Sequence, residues 1–207
     1  MVASCYEIFS LNVAQTNGSY YIFASNSTRT SSYCSLTILG LKQIIYKSNR
    51  ISTNKFFAKS WANYKVGFGG LCSDYWLGLD YIHSLTLSGN KSVYIEMYSE
   101  GTTTKYDVLY SSFSVGDESS RYVLSLGAKT SGSLNDLSAY HNGLAFSTYD
   151  NENSYNSSCS KRYSAGWWFN KCFLFCLTCD LPNIGNYYDL TTNTFLNYDR
   201  MQMTIQP

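Results

Sequence analysis

Apolar and polar positions alternate with a period of two along several stretches of this chain. Val93, Ile95 and Met97 alternate with Tyr94, Glu96 and Tyr98. Tyr106, Val108 and Tyr110 line one side of the next run, and Tyr122, Leu124 and Leu126 form a third. Near the end, Met201, Met203 and Ile205 alternate with Gln202, Thr204 and Gln206. Successive strand side chains point to opposite faces, so each run predicts a strand with one face buried. The final run reads as a strand returning to the sheet that the earlier ones build. Shorter β-like runs (Tyr20 to Ala24, Leu36 to Leu39, Gln43 to Tyr46) lie between Ser, Asn and Thr turns. The period then changes. Phe57, Trp61, Tyr64 and Phe68 are spaced four, three and four, one face of a helix, and Ser52-Thr53-Asn54 offers it an N-cap. A second short helix is predicted over Leu79 to Leu85. From about Asn135 to Asp199 the periodicity dissolves into polar, Gly- and Asn-rich loops that hold four of the seven cysteines. A region that long without regular structure is usually functional or covalently stapled. The class is α+β, with an antiparallel sheet and few helices.

Composition narrows the partners. Only 14% of the 207 residues are charged, against roughly 25% in an ordinary soluble domain. Polarity comes instead from Ser, Thr, Asn and 20 tyrosines. A net charge of +1 argues against a nucleic-acid binder, and no apolar run is long enough for membrane insertion. Seven cysteines point to an oxidising compartment, hence to a secreted or extracellular protein. Met1 to Cys5 lacks a basic n-region and an apolar h-region, so the sequence reads either as following a removed leader or as a domain of a longer chain. The charge is unevenly placed. Residues 8–73 hold seven cations (Arg29, Lys42, Lys47, Arg50, Lys55, Lys59, Lys65) and no acid. The segment 29–65 is therefore either a solvated basic face or a contact for a polyanion such as a sulfated glycan. Four N-x-S/T sites (Asn17, Asn26, Asn90, Asn156) are about what chance yields from this many Asn, Ser and Thr.

Several segments together resemble one family, the fibrinogen-related domain of fibrinogen chains, ficolins, tachylectins and angiopoietins. Phe57 to Gly69, with Trp61, Tyr64-Lys65 and Gly67-Phe68-Gly69, is similar to the family's F..W..YK.GFG stretch. Trp76-Leu77-Gly78 through Ile82-His83 and Leu85-Thr86 resembles WLG...IH.LT, and His141-Asn142-Gly143 through Phe146-Ser147-Thr148 and Asp150 resembles H.G..FST.D. Cys159 and Cys172 bracket Gly166-Trp167-Trp168 as paired cysteines bracket GWW in the family, and Met201 to Pro207 looks like MKIRP. These motifs fall in order and span nearly the whole chain.

The resemblance implies a single domain over residues 5–207. An N-terminal subdomain (5–50) would be closed by Cys5–Cys34. A central twisted antiparallel sheet (51–134 plus 200–207) would carry the two helices. A loop subdomain (135–199), closed by Cys159–Cys172, would hold calcium and a ligand pocket. Asp150, Glu152 and Ser154 fall in the calcium loop, with Ser154 where the family places a second acid. Calcium therefore stands beside a plain solvated Asn/Ser loop as the two readings. In lectin-like members the pocket receives acetyl groups, and its backbone donor comes from a cis peptide that would be Lys171–Cys172 here. Tyr163, Trp167, Lys171, Cys172 and Tyr187 are the implied ligand residues, while Trp167 and Trp168 equally suit a core. The chain departs from the pattern at Phe173, where lectin-type members have His, and in a shortened segment after Tyr187.

Cys72, Cys176 and Cys179 remain. The spacing Cys172-x3-Cys176-x2-Cys179 is used by some iron–sulfur sites, and Cys176-x2-Cys179 is half a zinc site, but no second ligand pair accompanies them. A local disulfide and a free or intermolecular thiol are the other readings. An enzyme is not expected. His83 and His141 are the only histidines, and no G-x-S-x-G, H-E-x-x-H or phosphate loop occurs. The expected function is lectin-like recognition of acetylated sugars or related ligands. The alternative is a protein-interaction or structural module, in either case oligomeric if a stalk joins it.

Overall fold

A computed structural model describes residues 5–10, 16, 18–23, 29–37, 40–49, 55–70, 73–89, 91–136, 138–155, 158–179 and 187–207. The four N-x-S/T asparagines, Cys72, Arg50 and the stretch Ser52-Thr53-Asn54 lie outside them, as does the side chain of Arg29.

The amino-terminal part runs through α1 (Cys5–Ser10), β1 (Gly18–Phe23), β2 (Arg29–Thr37) and β3 (Gly40–Ser48). Next come α2 (Trp61–Val66), the two-residue strands β4 (Phe68–Gly69) and β5 (Tyr75–Trp76), and α3 (Leu79–Thr86). The middle holds β6 (Ser92–Ser99), β7 (Lys105–Tyr110), β8 (Phe113–Val115), β9 (Leu124–Leu126) and β10 (Lys129–Ser131). Two short helices, α4 (Ser138–His141) and α5 (Cys159–Tyr163), and the hairpin β11 (Tyr187–Asp189) and β12 (Thr194–Leu196) precede the last strand, β13 (Tyr198–Gln206).

Among the described residues one sheet orders its strands β1-β2-β3-β13-β6-β7-β10, every pair antiparallel, with β5 joining β4 to β3. The last strand in sequence is thus central in space. Met203 stands opposite Tyr46 on one side and Ile95 on the other. The period-two pattern does what it predicts: Val93, Ile95, Met97, Val108, Tyr110, Met201, Met203 and Ile205 are all buried, and Tyr94, Glu96 and Tyr98 lie on the other face. Each such side chain contributes about 1.5–3 kcal/mol by leaving water. Over the buried face lie α3, which buries Leu79, Tyr81 and Ile82, and a cluster of rings. Trp76, Trp168 and Phe146 meet within 6.3 Å centroid to centroid, and Tyr64 stands edge-on to Trp76 at 5.3 Å.

Two sequence expectations are corrected. The helix predicted from the Phe57 to Phe68 spacing is only Trp61–Val66. Ser60 is its N-cap, accepting from Asn63 N–H, and Gly67 stops it at φ 96. A Cβ at Gly67 would sit 2.3 Å from the Leu77 carbonyl, so no other residue fits there. Phe57 instead occupies the preceding turn against Tyr46, and Phe68 begins β4, so the aromatic spacing records packing on one core rather than a single helix. Tyr122 is not in a strand either. It takes a left-handed conformation (φ 51) just before β9, with its hydroxyl bonded to Asp80 at 2.5 Å.

Candidate functional site

Three disulfides brace the chain, two of them in the loop-rich segment, which is also held by side chains that reach distant backbone. Cys5–Cys34 ties α1 to β2, and Cys159–Cys172 joins the first residue of α5 to the strand-like turn beyond the tryptophans. Cys176–Cys179 is also bonded, which decides among the readings open for that pair. All six sulfurs belong to buried residues.

The Gly166-Trp167-Trp168 segment is locked from the sheet side. The Tyr64 hydroxyl donates to Phe57 O at 2.8 Å and accepts from Gly166 N–H at 3.0 Å. A Cβ at Gly166 would lie 2.5 Å from the Tyr64 ring, so the glycine allows this approach. Burial pushes the Tyr64 phenol pKa well up, keeping it protonated as a donor. Trp168 Nε1–H donates to Tyr122 O at 2.8 Å, Thr178 donates to Gly166 O at 2.6 Å, and Tyr46 donates to Leu177 O at 2.5 Å. His141 completes the lock: its Nδ1 meets Trp168 O at 2.9 Å, and since a carbonyl only accepts, Nδ1 carries the proton. Burial holds this imidazole down to about 4.

The five candidate ligand residues separate into two groups. Trp167 is 3% exposed, packed against Trp168 and Phe175, and Tyr187 is buried with its hydroxyl accepting from the Asn135 backbone and side-chain amides at 2.8 and 2.7 Å. Neither offers a face to solvent. Lys171 is exposed, Cys172 is at the edge of burial, and Tyr163 is half-buried beside them. The Lys171–Cys172 peptide is trans, not the cis bond the resemblance implied. A cis bond here would cost about 3–4 kcal/mol; the chain turns instead by placing Cys172 in the left-handed region at φ 62. Tyr140 donates to Lys171 O at 3.0 Å and so fixes that carbonyl. The ring of Phe173 stands edge-on to Tyr163 at 4.8 Å, at the position where the resemblance to lectin-type members implied a histidine.

Beyond Phe173 lies a feature missed from the sequence. Its ring continues to Phe195 at 5.9 Å, and Phe195 to Tyr188 at 4.9 Å, so four aromatic rings run from the disulfide onto the β11–β12 hairpin. Phe195 is 39% exposed. A signal was present: aromatic residues flank Thr191-Thr192-Asn193, a turn in which Asn193 takes φ 54. Tyr155, 82% exposed, stands 6.0 Å from Lys171 Nζ at one side.

The candidate calcium loop has its acids engaged by protons. Asp150 Oδ1 accepts from Trp61 N–H at 2.9 Å and from the Thr148 hydroxyl at 2.7 Å. Glu152 accepts from Ser154 N–H at 3.3 Å, from Ser160 N–H at 3.1 Å and from the Ser160 hydroxyl. Calcium takes six to eight oxygens, several of them anionic. Both Glu152 oxygens and Asp150 Oδ1 accept hydrogen bonds from the protein, and Ser154 stands in place of a carboxylate, so the described side chains offer a cation fewer anionic oxygens than that shell takes. Among the described residues no cluster of three or more His, Cys, Asp or Glu could hold a metal.

The cations of segment 29–65 have separate surroundings. Lys65 pairs with Glu118, Lys42 Nζ lies 4.6 Å over the Tyr94 ring, and Lys59 Nζ 5.7 Å over that of Phe56. Hydrogen bonds from Lys65, and then from Trp61, hold the Glu118 carboxyl below its usual range. Among the described residues no helix is long and apolar enough to cross a membrane.

A twisted antiparallel sheet whose last strand lies at its centre, with a disulfide-closed loop region set beside it, defines a scaffold for presenting a recognition surface. The family model for the C-terminal globular domain of fibrinogen beta and gamma chains matches residues 2–198, and the chain belongs to that family, whose domains are generally non-catalytic binding modules. Fibrinogen-like protein A of Apostichopus parvimensis is 36% identical over 191 residues, 89% of this chain and 64% of that one. Ryncolin-4 of Cerberus rynchops is 32% identical over 157 residues, 75% of this chain and 45% of that one. The chain therefore spans less than two thirds of either relative. Among solved structures, the fibrinogen-like globe domain of human ANGPTL2 superimposes with a TM-score of 0.86 at 26% identity, covering 100% of this chain and 99% of that one.

Proposed function

We propose that this chain is an extracellular, non-catalytic recognition domain of lectin type, binding acetylated sugars or related ligands beside Cys159–Cys172. The observation that carries this is the aromatic strip at the rim of that disulfide, in which half-buried Tyr163 and Tyr188 and exposed Phe195 are joined by the buried ring of Phe173. Aromatic faces pack well on the apolar faces of sugars and on acetyl methyl groups, and their few rotatable bonds keep the entropic cost low. Exposed Lys171 gives the strip a polar edge. The three disulfides suit an oxidising compartment.

A second reading, a protein-interaction module, is favoured by Phe173 and the trans Lys171–Cys172 bond, which change the pocket chemistry the lectin-like members use. A glycan array with acetylated and matched deacetylated sugars tests the choice. The lectin reading expects retention of acetylated sugars, weakened about tenfold in the Tyr163→Ala/Phe195→Ala double variant. An array without signal from correctly folded protein leaves the protein-interaction reading.

A further inference from the structure

Helix α5 starts at Cys159, and its neighbour Ser160 is fixed by a side chain eight residues earlier. Glu152 receives both the Ser160 amide and the Ser160 hydroxyl on Oε2, and its Oε1 receives the Ser154 amide. The rest of the loop is closed in the same way. Asn153 N–H donates to the Ser147 hydroxyl at 2.9 Å and its side-chain amide to Phe146 O at 2.9 Å, while Thr148 and Asn151 exchange backbone hydrogen bonds at 3.0 and 3.1 Å. Asp150 ties the loop to α2 through Trp61 N–H. Proton donors and a cation compete for the same in-plane lone pairs of a carboxylate, and here the donors belong to the protein.

We propose that Glu152 organises residues 148–155 and 158–160 and sets the start of α5 by hydrogen bonding, without the calcium ion that the resemblance implied. The consequence reaches the candidate ligand surface. Ser160 adjoins Cys159, Cys159 is bonded to Cys172, and Cys172 lies between Lys171 and Phe173. Glu152 is thus a positioning residue for the aromatic strip. It acts through α5 and the disulfide, and its action is independent of calcium whichever ligand the strip binds.

Thermal unfolding of the whole chain in EDTA and in millimolar calcium tests this directly. The melting temperatures should agree within about 1 °C, whereas an ion at a hundred times its Kd would raise the value by roughly 5–10 °C in a domain of this size. Glu152→Gln should lower the melting temperature by about 4–8 °C, equally in both buffers, and Ser160→Ala by about half as much. In the amide spectrum the Ser160 proton should shift upfield in Glu152→Gln, a signature that general destabilisation would not give. If Glu152→Gln fails to fold, Ser160→Ala and calorimetric titration of the wild type with calcium carry the same question. Calcium stabilisation of the wild type, heat of calcium binding lost in a Glu152 variant, or a Glu152→Gln protein indistinguishable from wild type would each overturn the proposal.

Discussion

The central sheet and the segment from Asn135 to Leu196 bury comparable rings and aliphatic chains by different means. In the sheet, β3, β13, β6 and β7 pair as ladders with bulges in β13, and burial along β6 follows the two-residue alternation, while β3 buries Gln43 to Tyr46 consecutively. In the loop segment Trp167, Trp168, Phe169, Phe175 and Leu177 are as deeply buried, yet their backbone lies largely outside strands. There the polar backbone is satisfied one group at a time, by Tyr46 and Tyr64 reaching from elsewhere and by Thr178 and His141 within the segment. A ladder is a repeating solution that tolerates substitution at its polar face. A set of single contacts fails wherever one member is removed, because a buried polar group left unpaired costs about 1–3 kcal/mol.

This contrast can be broken experimentally at four points. The largest effect should come from the sheet: Ile95→Ala, at a site 4% exposed, should cost about 3–4 kcal/mol. Urea unfolding should remain a single transition, since the ladder ties both sides of β6 to its neighbours. Two transitions would show that the sheet is less cooperative than its register implies.

Removing Cys159–Cys172 by paired Ser substitution should cost about 3 kcal/mol from loop closure. The loss should appear as faster hydrogen exchange around α5 and the Trp167–Trp168 segment, leaving β6 and β13 protected. Uniform acceleration across the sheet would contradict the division between the two regions.

The third point is His141, held down to about 4 from an ordinary 6.5 by burial. Above pH 6.5 both folded and unfolded imidazoles are neutral, and the group adds no pH dependence to stability. As pH falls below that value the unfolded chain takes up a proton and the folded one does not, so stability declines until about pH 4 and then levels off. The loss over this window should be about 3 kcal/mol, and His141→Asn, which keeps a donor for Trp168 O, should remove that part of the acid slope. The slope left over belongs to carboxylates held low, such as Asp107 and Glu118. An unchanged slope in His141→Asn would show that this imidazole is not buried in the neutral form.

The smallest effect should be Tyr64→Phe, which keeps the ring and removes only the hydroxyl that links Phe57 O to Gly166 N–H. A cost of about 1–2 kcal/mol is expected, read from the shift in urea midpoint at constant m-value. A cost near zero would mean that water replaces the hydroxyl and that the loop segment is less tightly docked than its hydrogen bonds suggest.

Much of the frame was legible in the chain itself. The alternation at Val93 to Tyr98 and at Met201 to Gln206 specified strands, the buried face and the return of the last strand, because strand geometry repeats every two residues whatever surrounds it. The motif order from Phe57 to Pro207 specified the family, and with it Cys5–Cys34 and Cys159–Cys172, both of which form. The candidate site was legible only as a neighbourhood. Trp167 and Tyr187 turn inward, Tyr163 meets Phe173 beside Cys172, and Phe195 and Tyr188 join a strip whose one signal was the pair of aromatic residues flanking the Thr191-Thr192-Asn193 turn.

What the tertiary structure alone decided shares one physical cause. How the Gly166-Trp167-Trp168 backbone is satisfied and what anchors the start of α2 depend on groups distant in sequence: Tyr64 and Tyr46 reach the loop segment, and Asp150 accepts from Trp61 N–H. Periodic burial is a property of a segment and can be read from that segment. A hydrogen bond across 102 residues, such as that between Tyr64 and Gly166, exists only once the chain has closed on itself.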